Sequence, residues 1–253
     1  MAFFKSGNPT LSEKIFDKSL SAPHAESEVM TERGTLNKFG LMLILVVAAA
    51  SFTWKAAYEG KNVVPWMWGG AIVGLIIAIV IAFAPRHAKF LAPLYGIAEG
   101  VFLGAISAYF NAAFAEKAPG IVMMAVGITF GVVIAMFALY RFGIIKATET
   151  FKSVVITATA GVALFYIIAM LLRFFGIQMP LIHESTSWGI LFSLIIVGIA
   201  ALNLILDFDM IEQGVAKGAP KFMEWYGAFA LMVTIVWLYL EILRLLAKFA
   251  GRK

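Results

Sequence analysis

The 253-residue sequence contains no cysteine, only three histidines, and Asp, Glu, Lys or Arg at just 14% of its positions. Without cysteine there are no structural disulfides, no thiolate metal sites and no cysteine nucleophile. His24, His87 and His183 are scattered over a tail and two loops, so they form no metal cluster and no metal site is expected. HExxH, GxSxG, P-loop and GxGxxG arrangements are also absent, so neither an enzyme nor a cofactor is expected. Charge is too scarce for a soluble domain, where about a quarter of residues are charged. What fills the space is apolar: 62% of the chain is hydrophobic, more than a water-soluble fold of this size has surface to hide. This is the composition of a polytopic membrane protein.

Apolar runs long enough to cross a hydrocarbon core lie at about 38 to 57, 64 to 84, 90 to 114, 120 to 140, 153 to 173, 187 to 209 and 224 to 248, since about 20 residues of helix span it. The chain thus divides into a polar tail, 1 to 37, and a seven-span domain, 38 to 250. The tail has no apolar core of a secretory signal, so the first span is expected to act as the insertion signal. Within it, Thr10 to Glu13, "TLSE", fits a capping box ahead of Leu11, Ile15 and Phe16, which suggests a short surface helix; a disordered tail is the other reading. The net charge of +5 comes from Lys and Arg between apolar runs, where they set topology and meet lipid headgroups rather than nucleic acid. A cytoplasmic N-terminus puts 12 of these on the inside: Lys5, Lys14, Lys18, Arg33, Lys38, Arg86, Lys89, Arg141, Lys146, Lys152, Lys217 and Lys221. Eight remain outside, among them Arg244, Lys248, Arg252 and Lys253 at the C-terminal end. The balance favours the N-terminus inside, and a bacterial plasma membrane is expected in the absence of an organelle-targeting segment.

Small residues recur every four positions in the third span, at Ala92, Gly96, Gly100, Gly104 and Ala108. The second repeats this at Gly70, Gly74 and Ala78, and the fourth at Gly127, Gly131 and Ala135. Such stripes let helices approach closely in lipid, and all three read as bundle interfaces. Ionisable residues inside the spans are few: Glu99 in the third, Asp207 at the end of the sixth, and Glu241 with Arg244 in the seventh. Each costs on the order of 3 kcal/mol at a span centre, so each needs a reason. Glu241 and Arg244, three apart, share a helical face and pair. Glu99 borders the tight-packing stripe, as either a hydrogen-bonded protonated carboxyl or a transport residue.

The stretch Leu206 to Gly214, "LDFDMIEQG", sets Asp207, Asp209 and Glu212 directly after the uncharged run "WGILFSLIIVGIAALNLIL". It lacks the remaining ligands of an EF-hand loop, so it is no calcium cage by itself. Asn203, one turn before Asp207, faces the same way; together they either line a polar path or cap a helix end. Asp209 and Glu212 read as a solvated helix end.

The sixth-span ending "LNLILDFDMIEQG", the seventh-span "WLYLEILRLL" and the second-span exit "IAFAPRHAKFLAPLYGIAEG" together resemble the Bax inhibitor-1 family, its longer bacterial members above all. The resemblance covers the seven spans. It implies an all-α membrane protein, a seven-transmembrane-helix bundle whose central C-terminal helix is wrapped by the other six as two three-helix layers. It also implies a pH-sensitive calcium leak, in which two carboxylates on the last two helices share a proton and a second-span arginine competes for one of them. Those positions match Asp207, Glu241 and Arg86 in this chain. The physics is that two carboxylates in contact cannot both ionise cheaply, while a permanently charged guanidinium favours the ionised form. Two departures stand out. The family's second acid is usually Asp. Asp207 and Glu241 are also 34 positions apart, an interval longer than the family's by about three turns, or roughly 15 Å of rise. Either the extra residues form an extension at the inner surface that leaves the pair intact, or Glu224 or Asp209 takes over part of the gate. The expected partners are the bilayer and calcium or other cations. The rival readings are a non-conducting regulator that binds other membrane proteins, and a proton-coupled transporter using Glu99.

Overall fold

The structure, a computed structural model, describes residues 29 to 176 and 186 to 252. The Thr10 to Glu13 capping box, His24 and His183 lie outside the described residues. The described chain is an all-α bundle of seven helices, each long and apolar enough to cross a membrane: α1 (Glu32–Tyr58), α2 (Val64–Phe83), α3 (Ala88–Ala113), α4 (Ile121–Arg141), α5 (Glu149–Phe174), α6 (Ser187–Ala216) and α7 (Met223–Gly251). All seven apolar runs become helices, because in lipid each backbone N–H and C=O must find its partner within the segment.

Polar residues decide where these helices begin and stop. The Thr31 side chain accepts from Gly34 N at 3.0 Å and starts α1 at Glu32, some six residues before the apolar run. Thr148 caps α5 through Phe151 N, and Thr186 caps α6 through Gly189 N; a hydroxyl placed there satisfies an otherwise orphaned donor. α2 ends at Phe83, ahead of Pro85, which cannot continue it, and a short 3-10 turn, Pro85–His87, leads into α3. α6 does not end near Asp207. It continues to Ala216, nine residues or about 14 Å further, so Asn203 and Asp207 are mid-helix residues and not a cap.

The chain forms two compact units. Unit I comprises 29 to 112 and Asp207–Val233: α1, α2, α3, the end of α6 and the start of α7. Unit II comprises Ala113–Leu206 and 234 to 252: α4, α5, most of α6 and the remainder of α7. Of the seven helices, α7 has the largest share of its apolar stretch buried.

In unit I the small-residue stripe of α3 lies against α1. A Cβ on Gly100 would fall 2.7 Å from Ala49 Cβ, and one on Gly104 would meet the Ala50 and Thr53 backbone and hydroxyl. Thr53 Oγ1 donates to Val101 O at 3.2 Å across this contact. α2 packs on a second face of α3, where a Cβ on Gly70 would fall 2.7 Å from Ala98 O. The expectation for α4 fails: a Cβ on Gly127 or Gly131 would meet nothing within 4 Å among the described residues. The stripe is there, but no helix within the described chain fills it.

Candidate functional site

The buried ionisable residues fall into separate groups, each inside one unit. In unit I, Asp207 is 0% exposed on α6, surrounded in sequence by Leu204, Ile205, Leu206 and Met210, all buried. Asp209 is half-buried and accepts a bond from Gln213 Nε2 at 2.6 Å, whereas Glu212 is exposed. Glu99, on α3, is 9% exposed. Its carboxylate occupies the space that Gly74 leaves open on α2, with Oε1 2.7 Å from where a Gly74 Cβ would be. Tyr95, one turn earlier, hydrogen-bonds Glu99 and sets its ring edge-on to Phe229 of α7, with centroids 4.8 Å apart. Arg86 is exposed in the 3-10 turn between α2 and α3.

Glu224, fully buried in the first turn of α7, is spoken for. Its Oε1 accepts from Thr31 N and Thr31 Oγ1, each at 2.9 Å. Its Oε2 takes the Lys38 ammonium, and Lys221 lies 3.8 Å from Oε1. The Lys38 ammonium also sits 5.6 Å from the centre of the Trp225 ring. Alongside, Val29 and Pro220 form an isolated bridge, and Met30 N donates to Ala219 O at 2.7 Å. Glu224 thus fastens the start of α1 to the α6–α7 turn. Sequence reasoning placed Thr31 and Lys38 in or next to a tail; the signal was a Thr followed by Glu ahead of an apolar run, an N-cap signature.

In unit II, Glu241 is 2% exposed on α7. Arg244 Nη1 donates to both of its oxygens at 2.9 and 2.8 Å. Tyr166 OH of α5 lies 3.0 and 3.2 Å from them, and Trp237 Nε1 donates at 3.2 Å. Arg244 donates as well to the Tyr166 hydroxyl and lies over its ring, 5.2 Å from the centroid. The structure therefore brings Glu241 together with Arg244, and adds Tyr166 and Trp237, which the sequence reading missed. One turn on, buried Lys248 donates to Gly189 O at 2.9 Å and Ser193 Oγ at 2.8 Å. Asn203, 1% exposed, joins α6 to α5 through Thr159 Oγ1 at 2.8 Å and also donates to Ile199 O at 2.8 Å.

Among the described residues, no three of His, Asp and Glu gather as a metal-binding group. The chemistry on offer is that of carboxyl groups inside spanning helices, Glu224 and Glu241 beside cations and Asp207 fully buried in mid-helix. As a class, this is a multi-pass α-helical membrane protein with buried acids. Over residues 8–251 the chain matches the model of the family described as Bax inhibitor 1 like, and it belongs to that family. No curated protein and no solved structure matches it.

Proposed function

We propose that the chain is a pH-sensitive cation leak, with calcium as the permeant ion, in which Asp207 takes up the proton. The observation that carries this reading is the complete burial of Asp207 in mid-helix, in a member of the Bax inhibitor 1 like family. A carboxylate without water is costly in its charged form, so gain or loss of one proton there changes the local energetics by several kcal/mol. That is enough to tip a two-state helix arrangement. Arg86, in the same unit, is the proposed cation that favours the charged form, and Glu241 is the proposed second acid. Glu99 in unit I and Asn203 in unit II are proposed polar footholds for an ion. Carboxylates and amide oxygens suit calcium, a hard cation that seeks oxygen. The membrane proposed is the inner membrane of a bacterium, with the N-terminus in the cytoplasm.

Calcium flux into proteoliposomes across a series from about pH 6 to pH 8 tests the reading, that being the window in which a perturbed carboxyl titrates. Wild type is expected to conduct with a pH-dependent rate, and Asp207→Asn to lose that dependence. The double variant with Glu241→Gln asks whether the two acids act together, through any departure from additivity. Flux absent at every pH would sink the leak and leave the non-conducting regulator.

A further inference from the structure

Glu241 is surrounded by donors in a way that bears on how many protons the switch uses. Its two oxygens receive Arg244, Tyr166 and Trp237, from its own helix and from α5. The charged and titratable groups facing it are Tyr166 of α5 and Arg244 of α7, with Lys248 one turn further along α7. α6 contributes the Gly189 carbonyl and the Ser193 hydroxyl, which hold Lys248 in place. Among the described residues, Tyr166, Trp237 and Arg244 each donate to the carboxylate, and Lys248 adds a second positive charge one turn away. Protonating Glu241, which is 2% exposed, would remove the negative charge that faces the half-buried Arg244 guanidinium and leave that cation without its counter-ion.

We propose that Arg244 and Tyr166 are positioning residues that keep Glu241 ionised as a fixed anion, so that the proton switch in this chain belongs to Asp207 alone. The arrangement differs from a carboxylate pair sharing one proton. Arg244 supplies the permanent charge from three residues away on the same helix, and Tyr166 fixes where that guanidinium lies by accepting from it and covering its face. The inference rests on the reading of Asp207 as the switch acid, yet its central prediction, the charge state of Glu241, is measured without any flux.

A hydrophobic carbodiimide reacts with a carboxyl group only in its protonated form, and the adduct is located by peptide mass spectrometry. Purified full-length protein in detergent is treated with N,N′-dicyclohexylcarbodiimide across the same pH series. Wild-type Glu241 is expected to stay unlabelled at every pH. Arg244→Gln should label it increasingly as pH falls, by about tenfold for each unit while the protonated form is the minor one. Arg244→Lys, which restores a cation, should restore protection. Tyr166→Phe removes only a hydroxyl and should give intermediate labelling, so the proposal stays testable even if Arg244→Gln does not fold. Label on wild-type Glu241, or continued protection of Glu241 in both Arg244→Gln and Tyr166→Phe, would overturn the proposal. Flux on the same preparations separates the two readings: absent wild-type flux removes the leak, whereas labelled wild-type Glu241 removes the fixed anion.

Discussion

Glu224 has an ion pair with each of Lys38 and Lys221 and two bonds from Thr31, and its burial makes those partners obligatory. Removing one member of a buried pair strands the other, at a cost of about 3 kcal/mol, whereas replacing both by apolar groups is often close to neutral. Glu224→Gln and Lys38→Met are therefore each expected to lower the thermal unfolding midpoint in detergent. The double variant should unfold at a higher temperature than either single one. Two additive losses would show that the pair is not energetically coupled. Gly34→Ala should be as harmful as either single variant, because the added Cβ would fall on the Glu224 carboxylate. Only part of this residue-level detail was legible in the sequence. Glu241 and Arg244 could be paired from their spacing of three. Tyr166, 75 residues away from Glu241, could not, since a single Tyr in an apolar run carries no signal of what it faces. Thr31 and Lys38 meet Glu224 across 193 and 186 residues, separations that no local pattern encodes.

The helices themselves were legible, because a run of about 20 apolar residues has few alternatives to a membrane-spanning helix. Their ends were less so. α1 begins upstream of its apolar run at the Thr31 cap, and α6 runs on through Asp209 and Glu212 to Ala216, because the helix of a hairpin needs no apolar residues beyond the bilayer edge. Small-residue stripes show a helix able to pack closely without saying whether a neighbour is there. α3 is met on two faces, by α1 along its own glycines and by α2 through Gly70 and Gly74, while α4 has open space beside Gly127 and Gly131. This difference predicts opposite signs for the same kind of substitution. Gly104→Ala would push a methyl group into the Ala50 backbone, which cannot move without shifting α1, and is expected to destabilise by more than about 1 kcal/mol. Gly127→Ala has room and replaces the residue that costs a helix most in entropy, so it should be neutral or stabilise by about 0.5 to 1 kcal/mol. Thermal unfolding of the two variants side by side in one detergent checks both signs. A Gly127→Ala loss as large as that of Gly104→Ala would mean that α4 is packed against something in the intact protein.

For the whole molecule, the seven spans of the described residues put the start of α1 and the end of α7 on opposite sides, and with the start of α1 inside, the basic end of α7 sits on the side where basic residues are normally scarce. The buried partners reduce that conflict. Arg244 is paired with Glu241, and the buried Lys248 ammonium is held by Gly189 and Ser193, so neither is a freely solvated loop charge. Of the four basic residues at this end, Arg252 is the exposed one among the described residues. The topology proposed above is thus compatible with full passage of α7. Because the chain has no cysteine, a single introduced one reports on its own position. Lys61 in the α1–α2 turn, Arg252 after α7 and Lys217 after α6 are all exposed. With a membrane-impermeant maleimide on intact cells, Lys61→Cys and Arg252→Cys are expected to label, and Lys217→Cys only after permeabilisation. The inverse pattern would turn the molecule over and put the N-terminus outside. Labelling of Lys61→Cys without Arg252→Cys would bring the C-terminal end back to the cytoplasmic side, and Glu241 and Arg244 would then lie on a segment that enters the bilayer without crossing it.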